Sequence, residues 1–150
     1  HHDVMPEQFL TEAHDIDYSE LTHDPELFHA IANTQGRKII HTNGPRCHAQ
    51  AVLTALGYSE LFDTVYALED ANLISKPHAD AFETVHAQAG IDPSRAAMIE
   101  DDARNLAAPH DLAMCTVWLD HGHANETPDH VHHHVNCLTT FLKSELQQLT

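Results

Sequence analysis

Residues 38–48, Lys-Ile-Ile-His-Thr-Asn-Gly-Pro-Arg-Cys-His, decide the fold class of this chain. Ile39 and Ile40 form a short β-branched run, which predicts a buried strand. The Asn43-Gly44 pair ends that strand, because this dipeptide is typical of turns. The stretch therefore predicts a strand that runs directly into a tight turn.

A helix follows the turn. Pro45 suits a helix start, because its missing N–H would have no partner there, and Gly57 ends the helix predicted over residues 46–56. Thr42 thus lies between the carboxyl end of a strand and a helix N-terminus, where open α/β sheets bind ligands. The helix end favours a phosphate, and Thr42 adds a hydroxyl donor. Taken alone, this stretch is better interpreted as an ordinary strand–turn–helix connection.

Strand and helix patterns alternate along the rest of the chain. Further strands are predicted at 64–67, 96–99, 116–119 and 131–135, and helices at 6–14, 25–35, 79–89, 103–112 and 138–149. Alternation of this kind is typical of an α/β protein whose parallel sheet is flanked by helices.

Composition limits the classes of partner. The chain has 150 residues, 42% of them hydrophobic, and carries 23 acidic against 7 basic residues, a formal net charge of −16. Such a charge repels nucleic acid and anionic membranes, so we expect neither as a partner. No apolar run approaches the ~20 residues of a membrane span. The three cysteines are far apart, which predicts reduced, mostly buried thiols in a cytoplasmic protein.

Three groups suited to phosphate chemistry follow three predicted strands. They are Thr42, Lys76 and the acidic run Glu100-Asp101-Asp102. If the strands are parallel, all three emerge at one edge of the sheet, where a hydroxyl, an ammonium and carboxylates suit phosphoryl transfer. The carboxylates can hold Mg²⁺, which prefers oxygen ligands. Taken singly, Lys76 also fits a solvated loop, and the acidic run also fits a favourably charged helix start.

The same residues resemble a known family. Thr42-Asn43-Gly44, Lys76-Pro77 and Ile99-Glu-Asp-Asp-Ala-Arg-Asn105 resemble, in that order, the second, third and fourth motifs of the haloacid dehalogenase (HAD) superfamily. Its pyrimidine 5′-nucleotidase-like branch is the most similar, over roughly residues 14–145. The resemblance implies a Rossmann-like core, Mg²⁺ dependence and hydrolysis of a phosphomonoester, either a nucleotide or another small phosphorylated metabolite.

The resemblance also implies site residues. Thr42, Lys76 and Asp101 would be the catalytic residues. Thr42, Asn43, Gly44 and Lys76 would bind the phosphoryl group, and Lys76 would also stabilise the nucleophile and the transferring charge. Asp101 would bind Mg²⁺, with Glu100 and Asn105 supporting the metal shell.

The family's first motif, Asp-x-Asp-x-Thr, supplies its aspartate nucleophile and lies before an inserted helical cap. Residues 1–14 resemble the last helix of that cap, and residues 15–150 the hydrolase core without its first strand. We therefore expect no turnover unless an upstream segment or a second chain completes the sheet. Asp15, in Asp-Ile-Asp-Tyr-Ser, is an alternative nucleophile, although it follows a helical stretch and resembles the family's cap-to-core link.

A histidine cluster over residues 121–134 suggests a different class of protein. On a strand, His130, His132 and His134 would share one face and bind Zn²⁺, Ni²⁺ or Cu²⁺. A solvated terminal strand is the better interpretation of the cluster, because its spacing matches no strict zinc motif. The alternative function is thus a non-catalytic metal-binding or interaction module.

Overall fold

The computed structural model describes residues 16–122 and 126–144. The predicted cap helix at 1–14 and the alternative nucleophile Asp15 lie outside the described residues. The chain divides after Glu69 into two compact units, which are described one at a time. Within the described ranges, no helix has both the length and the apolar character needed to span a membrane.

The first unit contains a two-stranded parallel sheet. Its elements are α1 (Pro25–Asn33), β1 (Ile39–His41), α2 (Arg46–Leu56), a 3₁₀ turn (Ser59–Leu61) and β2 (Thr64–Tyr66). β1 and β2 pair in parallel, with Ile39 opposite Thr64 and His41 opposite Tyr66. The predicted strand–turn–helix of residues 38–57 is confirmed, including its end at Gly57, whose φ of 72° is the left-handed conformation that glycine adopts without strain.

Polar caps and aromatic packing hold the first unit together. The Asp24 carboxylate accepts the N–H groups of Glu26 and Leu27 at 2.9 and 3.1 Å, which fixes the start of α1. Tyr58 is buried, packs its ring against Phe28, and donates its hydroxyl to the Asp24 carbonyl at 2.8 Å. One tyrosine therefore ties the start of α1 to the segment after α2.

The second unit contains a three-stranded parallel sheet in the order β3-β4-β5. Its elements are α3 (Ala79–Ala89), a 3₁₀ turn (Pro93–Arg95), β3 (Ala97–Glu100), a 3₁₀ turn (Ala103–Leu106), α4 (Ala107–Asp111), β4 (Cys115–Leu119), β5 (His133–Val135) and α5 (Leu138–Ser144). The largest fully buried apolar side chains here include Phe82, Val85, Leu106 and Val117. The predicted α/β class with parallel strands is confirmed.

Two predicted elements differ from the structure. The helix predicted over 103–112 is a 3₁₀ turn followed by a short α4, which places Pro109 in the first helical turn, where a proline is tolerated. The strand predicted over 131–135 begins only at His133. Just before it, the Thr116 N–H donates to the His132 imidazole rather than to a backbone carbonyl.

The cysteines also depart in part from expectation. All three are unpaired, as expected, but Cys137 is exposed and the other two are half-buried. Burial raises the pKa of the Cys115 thiol, which makes it a weak nucleophile.

His86 is a buried histidine with an unsatisfied ring atom. It lies on α3 beside Phe82, and its Nδ1 has no hydrogen-bond partner among the described residues. Burial lowers the pKa of His86, because a charged imidazolium loses its hydration there. The folded state therefore holds this imidazole neutral at pH values where the unfolded chain protonates it.

Replacing His86 by leucine should make the fold less sensitive to acid. The unfolded chain binds the extra proton, so His86 lowers the free energy of unfolding as pH falls below about 6.5, by at most about 1.4 kcal/mol per pH unit. Urea unfolding between pH 7.5 and 5 should show a shallower decline for His86→Leu. The exposed His78, changed to glutamine, is the control. An identical decline in His86→Leu and the wild type would contradict the assignment.

Candidate active site

A buried ion pair occupies the carboxyl end of β3. The Lys76 ammonium donates to Oε1 of Glu100, and the two side chains are only 7% and 8% exposed. Glu100 is the last residue of β3, and Lys76 precedes α3. A solvated role for Lys76 is therefore wrong, because its charge is held inside the second unit against a carboxylate.

The Glu100 carboxylate also organises the loop that follows it. Oε1 accepts a second hydrogen bond, from the Asn105 side-chain amide at 3.1 Å. Oε2 accepts the N–H of Asp101 at 3.1 Å and, more weakly, that of Asp102 at 3.5 Å. Four donors thus hydrogen-bond to one carboxylate. Glu100 and Asn105 are therefore better suited to positioning the loop than to binding a metal directly.

Unlike the carboxylates of Glu100 and Asp102, the Asp101 carboxylate is available to bind a ligand. Its side chain is exposed, and no described residue hydrogen-bonds to its carboxylate. A single exposed carboxylate beside a fixed loop fits Mg²⁺, which proteins hold with one or two carboxylates while it keeps several waters. Within the described ranges, no three His, Cys, Asp or Glu residues form a group that could hold a metal ion. Asp101 would therefore be one ligand among others supplied by water, substrate or another segment.

Asp102 belongs to the local turn instead. Its carboxylate caps the 3₁₀ turn by accepting the Arg104 N–H at 3.0 Å, and it also pairs with the Arg104 guanidinium at 2.6 Å. The side-chain hydrogen bond from Arg104 holds the pKa of Asp102 below its usual range. The Asp102 carboxylate therefore has a structural partner, whereas the Asp101 carboxylate has none among the described residues.

The first unit carries the predicted phosphate loop. The Thr42 N–H donates to the Tyr66 carbonyl at 2.9 Å, and its Oγ1 accepts the Gly44 N–H at 2.9 Å. The Thr42 hydroxyl proton remains able to donate. A Cβ on Gly44 would meet Thr42 Oγ1 at 3.4 Å and His48 Cδ2 at 3.5 Å, which are ordinary van der Waals distances.

The N–H groups at the start of α2 are less available to a phosphate than the sequence predicted. The sequence predicted unpaired N–H groups at this helix end, but the Arg46 N–H already donates to Glu69 Oε1 at 3.2 Å. Sequence reasoning also missed that His48 and Tyr18 join here, through a 2.7 Å hydrogen bond between the tyrosine hydroxyl and Nδ1 of the imidazole. Tyr18 and His48 lie 30 residues apart, and no motif links them.

The structure thus gathers the predicted residues in two places. Lys76, Glu100, Asp101 and Asn105 form one contiguous set in the second unit. Thr42, Asn43 and Gly44 form the loop after β1 in the first.

The histidine cluster does not form the predicted metal face. His130 and His132 precede β5, so they do not alternate with His134 on a strand. The His130 ring bonds to the Ala103 carbonyl at 2.8 Å, and His132 Nδ1 bonds to Thr116. Their ring nitrogens serve separate structural contacts, and His123 lies outside the described residues.

The similarity of the chain to known proteins identifies its family. Residues 7–111, more than half of the chain, match the family of haloacid dehalogenase-like hydrolases, and the chain belongs to that family. The fold agrees: a HAD phosphatase from Thermococcus onnurineus superposes with a TM-score of 0.68 at 18% identity, covering 91% of this chain and 77% of that one. A dehalogenase captured with an intermediate gives 0.71 at 18% identity, covering 90% and 67%.

Two curated relatives are phosphatases by name. The N-acetylmuramic acid 6-phosphate phosphatase of Pseudomonas aeruginosa is 32% identical over 108 residues, 71% of this chain and 47% of the relative. The validoxylamine A 7′-phosphate phosphatase of Streptomyces hygroscopicus subsp. limoneus is 28% identical over 101 residues, 67% of this chain and 47% of the relative. The chain therefore spans about half the length of these relatives.

Removing one partner of the buried ion pair should destabilise the second unit strongly. Lys76→Met keeps the length of the side chain but leaves the Glu100 charge without its cation, at a cost of about 3–5 kcal/mol in the free energy of unfolding. The double variant Lys76→Met, Glu100→Gln should recover part of that loss, because no net charge stays buried. Urea unfolding measures both, and a single-variant loss below about 1 kcal/mol would show that water screens the pair.

Proposed function

We propose that this chain is part of a Mg²⁺-dependent phosphatase that hydrolyses a small phosphomonoester. One observation carries the proposal: a buried lysine and an available carboxylate, Lys76 and Asp101, are held by the same glutamate at the end of β3. Phosphoryl transfer needs fixed positive charge and a bound cation more than it needs covalent chemistry from many groups. The named activities of the two curated relatives support this reaction class.

Each group has a role that its surroundings suit. Lys76 provides a positive charge in a chain whose formal net charge is −16 and which would otherwise repel a phosphate ester. Asp101 would hold the ion, with Glu100 and Asn105 fixing its loop. Bound Mg²⁺ would neutralise charge on the phosphoryl oxygens. From the motif resemblance alone, the Thr42 hydroxyl and the backbone at Asn43 and Gly44 are proposed as donors to a phosphoryl group.

The nucleophile is proposed to come from outside these 150 residues. The motif resemblance implies an aspartate nucleophile at the tip of a buried strand. Two aspartates directly follow described strands, but Asp101 is assigned here to the metal and Asp120 bonds to His134. β1 pairs only with β2, and β3 only with β4, among the described strands, so both sheets have an edge that a further strand could extend. The relatives' greater length is consistent with an additional segment.

The substrate class follows from the relatives and from the motifs together. The relatives' names specify phosphates of N-acetylmuramic acid and of validoxylamine A, which favours a small polar phosphorylated metabolite. A nucleoside 5′-monophosphate rests on the motif resemblance and is proposed as one member of the test set. We also infer a cytoplasmic location, since three unpaired cysteines suit a reducing compartment.

The proposal is tested on the native polypeptide that carries these residues. Its intact mass shows whether an upstream segment exists; if none does, an Asp-x-Asp-x-Thr strand and cap from a relative are fused in front. Phosphate release from nucleoside monophosphates and sugar phosphates should require MgCl₂ and stop with EDTA. Asp101→Asn and Lys76→Arg should each lower kcat/KM by at least about 100-fold, since each alters charge stabilisation in the transition state.

Two matched variants serve as controls. Asp102→Asn removes the neighbouring carboxylate that Arg104 already engages, and Lys143→Ala removes one exposed positive charge from α5. Both should keep kcat/KM within a few-fold of the wild type. Activity that survives in Asp101→Asn and Lys76→Arg, or that is independent of Mg²⁺, would overturn the proposal.

A further inference from the structure

We propose that Trp118 is a positioning residue for Asp101, fixing the loop that would hold Mg²⁺ by a hydrogen bond from its indole. The inference rests on the proposed function, because it assigns Asp101 to the metal. Trp118 lies on β4, directly opposite Glu100 in the parallel register, so its side chain is one strand away from the acidic run.

The first step is the contact itself. The indole Nε1–H donates to the backbone carbonyl of Asp101 at 2.9 Å. The N–H of the same residue donates to Glu100 Oε2 at 3.1 Å. Both backbone groups of Asp101 are therefore held by side chains, one from β3 and one from β4, while the Asp101 carboxylate stays available. Fixing the backbone on both sides limits the directions in which this side chain can point.

The second step is what holds the indole. The His134 ring stacks on it, with the ring centres 4.5 Å apart and the planes within 18°. β4 and β5 pair so that Trp118 and His134 are opposite each other, which brings the two rings onto neighbouring strands. A stacked ring restricts rotation of the indole and so keeps its N–H directed at the Asp101 carbonyl.

The third step is what holds His134. Its Nε2 bonds to the Asp120 carboxylate at 3.0 Å, and its Nδ1 bonds to the Thr127 hydroxyl at 2.7 Å. Asp120 is buried, with 6% of its surface exposed. With both nitrogens bonded to the protein, the imidazole has a fixed orientation and is not disposed to bind a metal. The histidine that sequence analysis placed in a metal face thus supports a tryptophan instead.

These contacts would order the loop that contains Asp101 before Mg²⁺ binds. Outer groups that orient a metal ligand typically change metal affinity by about 10–100-fold when they are removed. Trp118→Phe is the matched variant, because phenylalanine keeps an aromatic ring against His134 but has no N–H to donate. We expect its Mg²⁺ dissociation constant to rise about 10-fold, with its unfolding by urea close to that of the wild type.

The experiment measures Mg²⁺ binding directly on the same native or fused polypeptide. Calorimetric titration with MgCl₂ gives the dissociation constant for the wild type, Trp118→Phe and Asp101→Asn. In a ¹⁵N-labelled sample, the indole N–H resonance of Trp118 is identified by its loss in Trp118→Phe, and it should shift as MgCl₂ is added. With saturating Mg²⁺, the KM of Trp118→Phe for the phosphate ester should equal that of the wild type.

The outcomes separate this inference from the proposed function. Unchanged Mg²⁺ affinity in Trp118→Phe, together with weakened affinity in Asp101→Asn, overturns the positioning role and leaves the metal assignment standing. Unchanged affinity in Asp101→Asn overturns the metal assignment of the proposed function. A Trp118→Phe variant that raises KM for the ester as much as it weakens Mg²⁺ binding would show general structural damage, which also contradicts a positioning role.

Discussion

The buried ion pair between Lys76 and Glu100 is the interaction on which the candidate site depends. Removing two charges from water is costly, and the cost is offset only when the pair is well placed and its remaining hydrogen-bonding capacity is satisfied. Glu100 meets that condition because it accepts from Asn105 and from the loop backbone as well as from Lys76. The ion pair therefore ties the segment before α3 to the end of β3.

Much of the fold could be predicted from local sequence. The β-branched run before Asn43-Gly44 and the glycine after α2 are short-range signals, and the structure confirms the elements that they predict. The boundaries near Pro109 and His133 could not be predicted in the same way. They depend on where a proline falls in a helical turn and on a side-chain contact between Thr116 and His132, which are 16 residues apart in the sequence.

The candidate site was predictable as a set of residue types but not as a set of contacts. The sequence indicated that Lys76 and Glu100-Asp101 each follow a predicted strand. It could not show that Glu100 is a buried acceptor while Asp101 is exposed, because the predicted strand ended at Ile99, whereas β3 extends to Glu100. The histidine cluster misled for a related reason: periodicity places side chains on a face only where a strand exists.

The four hydrogen bonds at Glu100 have a consequence for which amino acids position 100 can accept. Aspartate carries the same charge but is one methylene shorter, which draws the carboxylate back by about 1.5 Å. From there it could not reach both the lysine ammonium and the two following peptide groups. Side-chain length, as well as charge, therefore restricts this position. Glu100→Asp, although it looks conservative, would separate the Lys76 ammonium from the loop that follows β3.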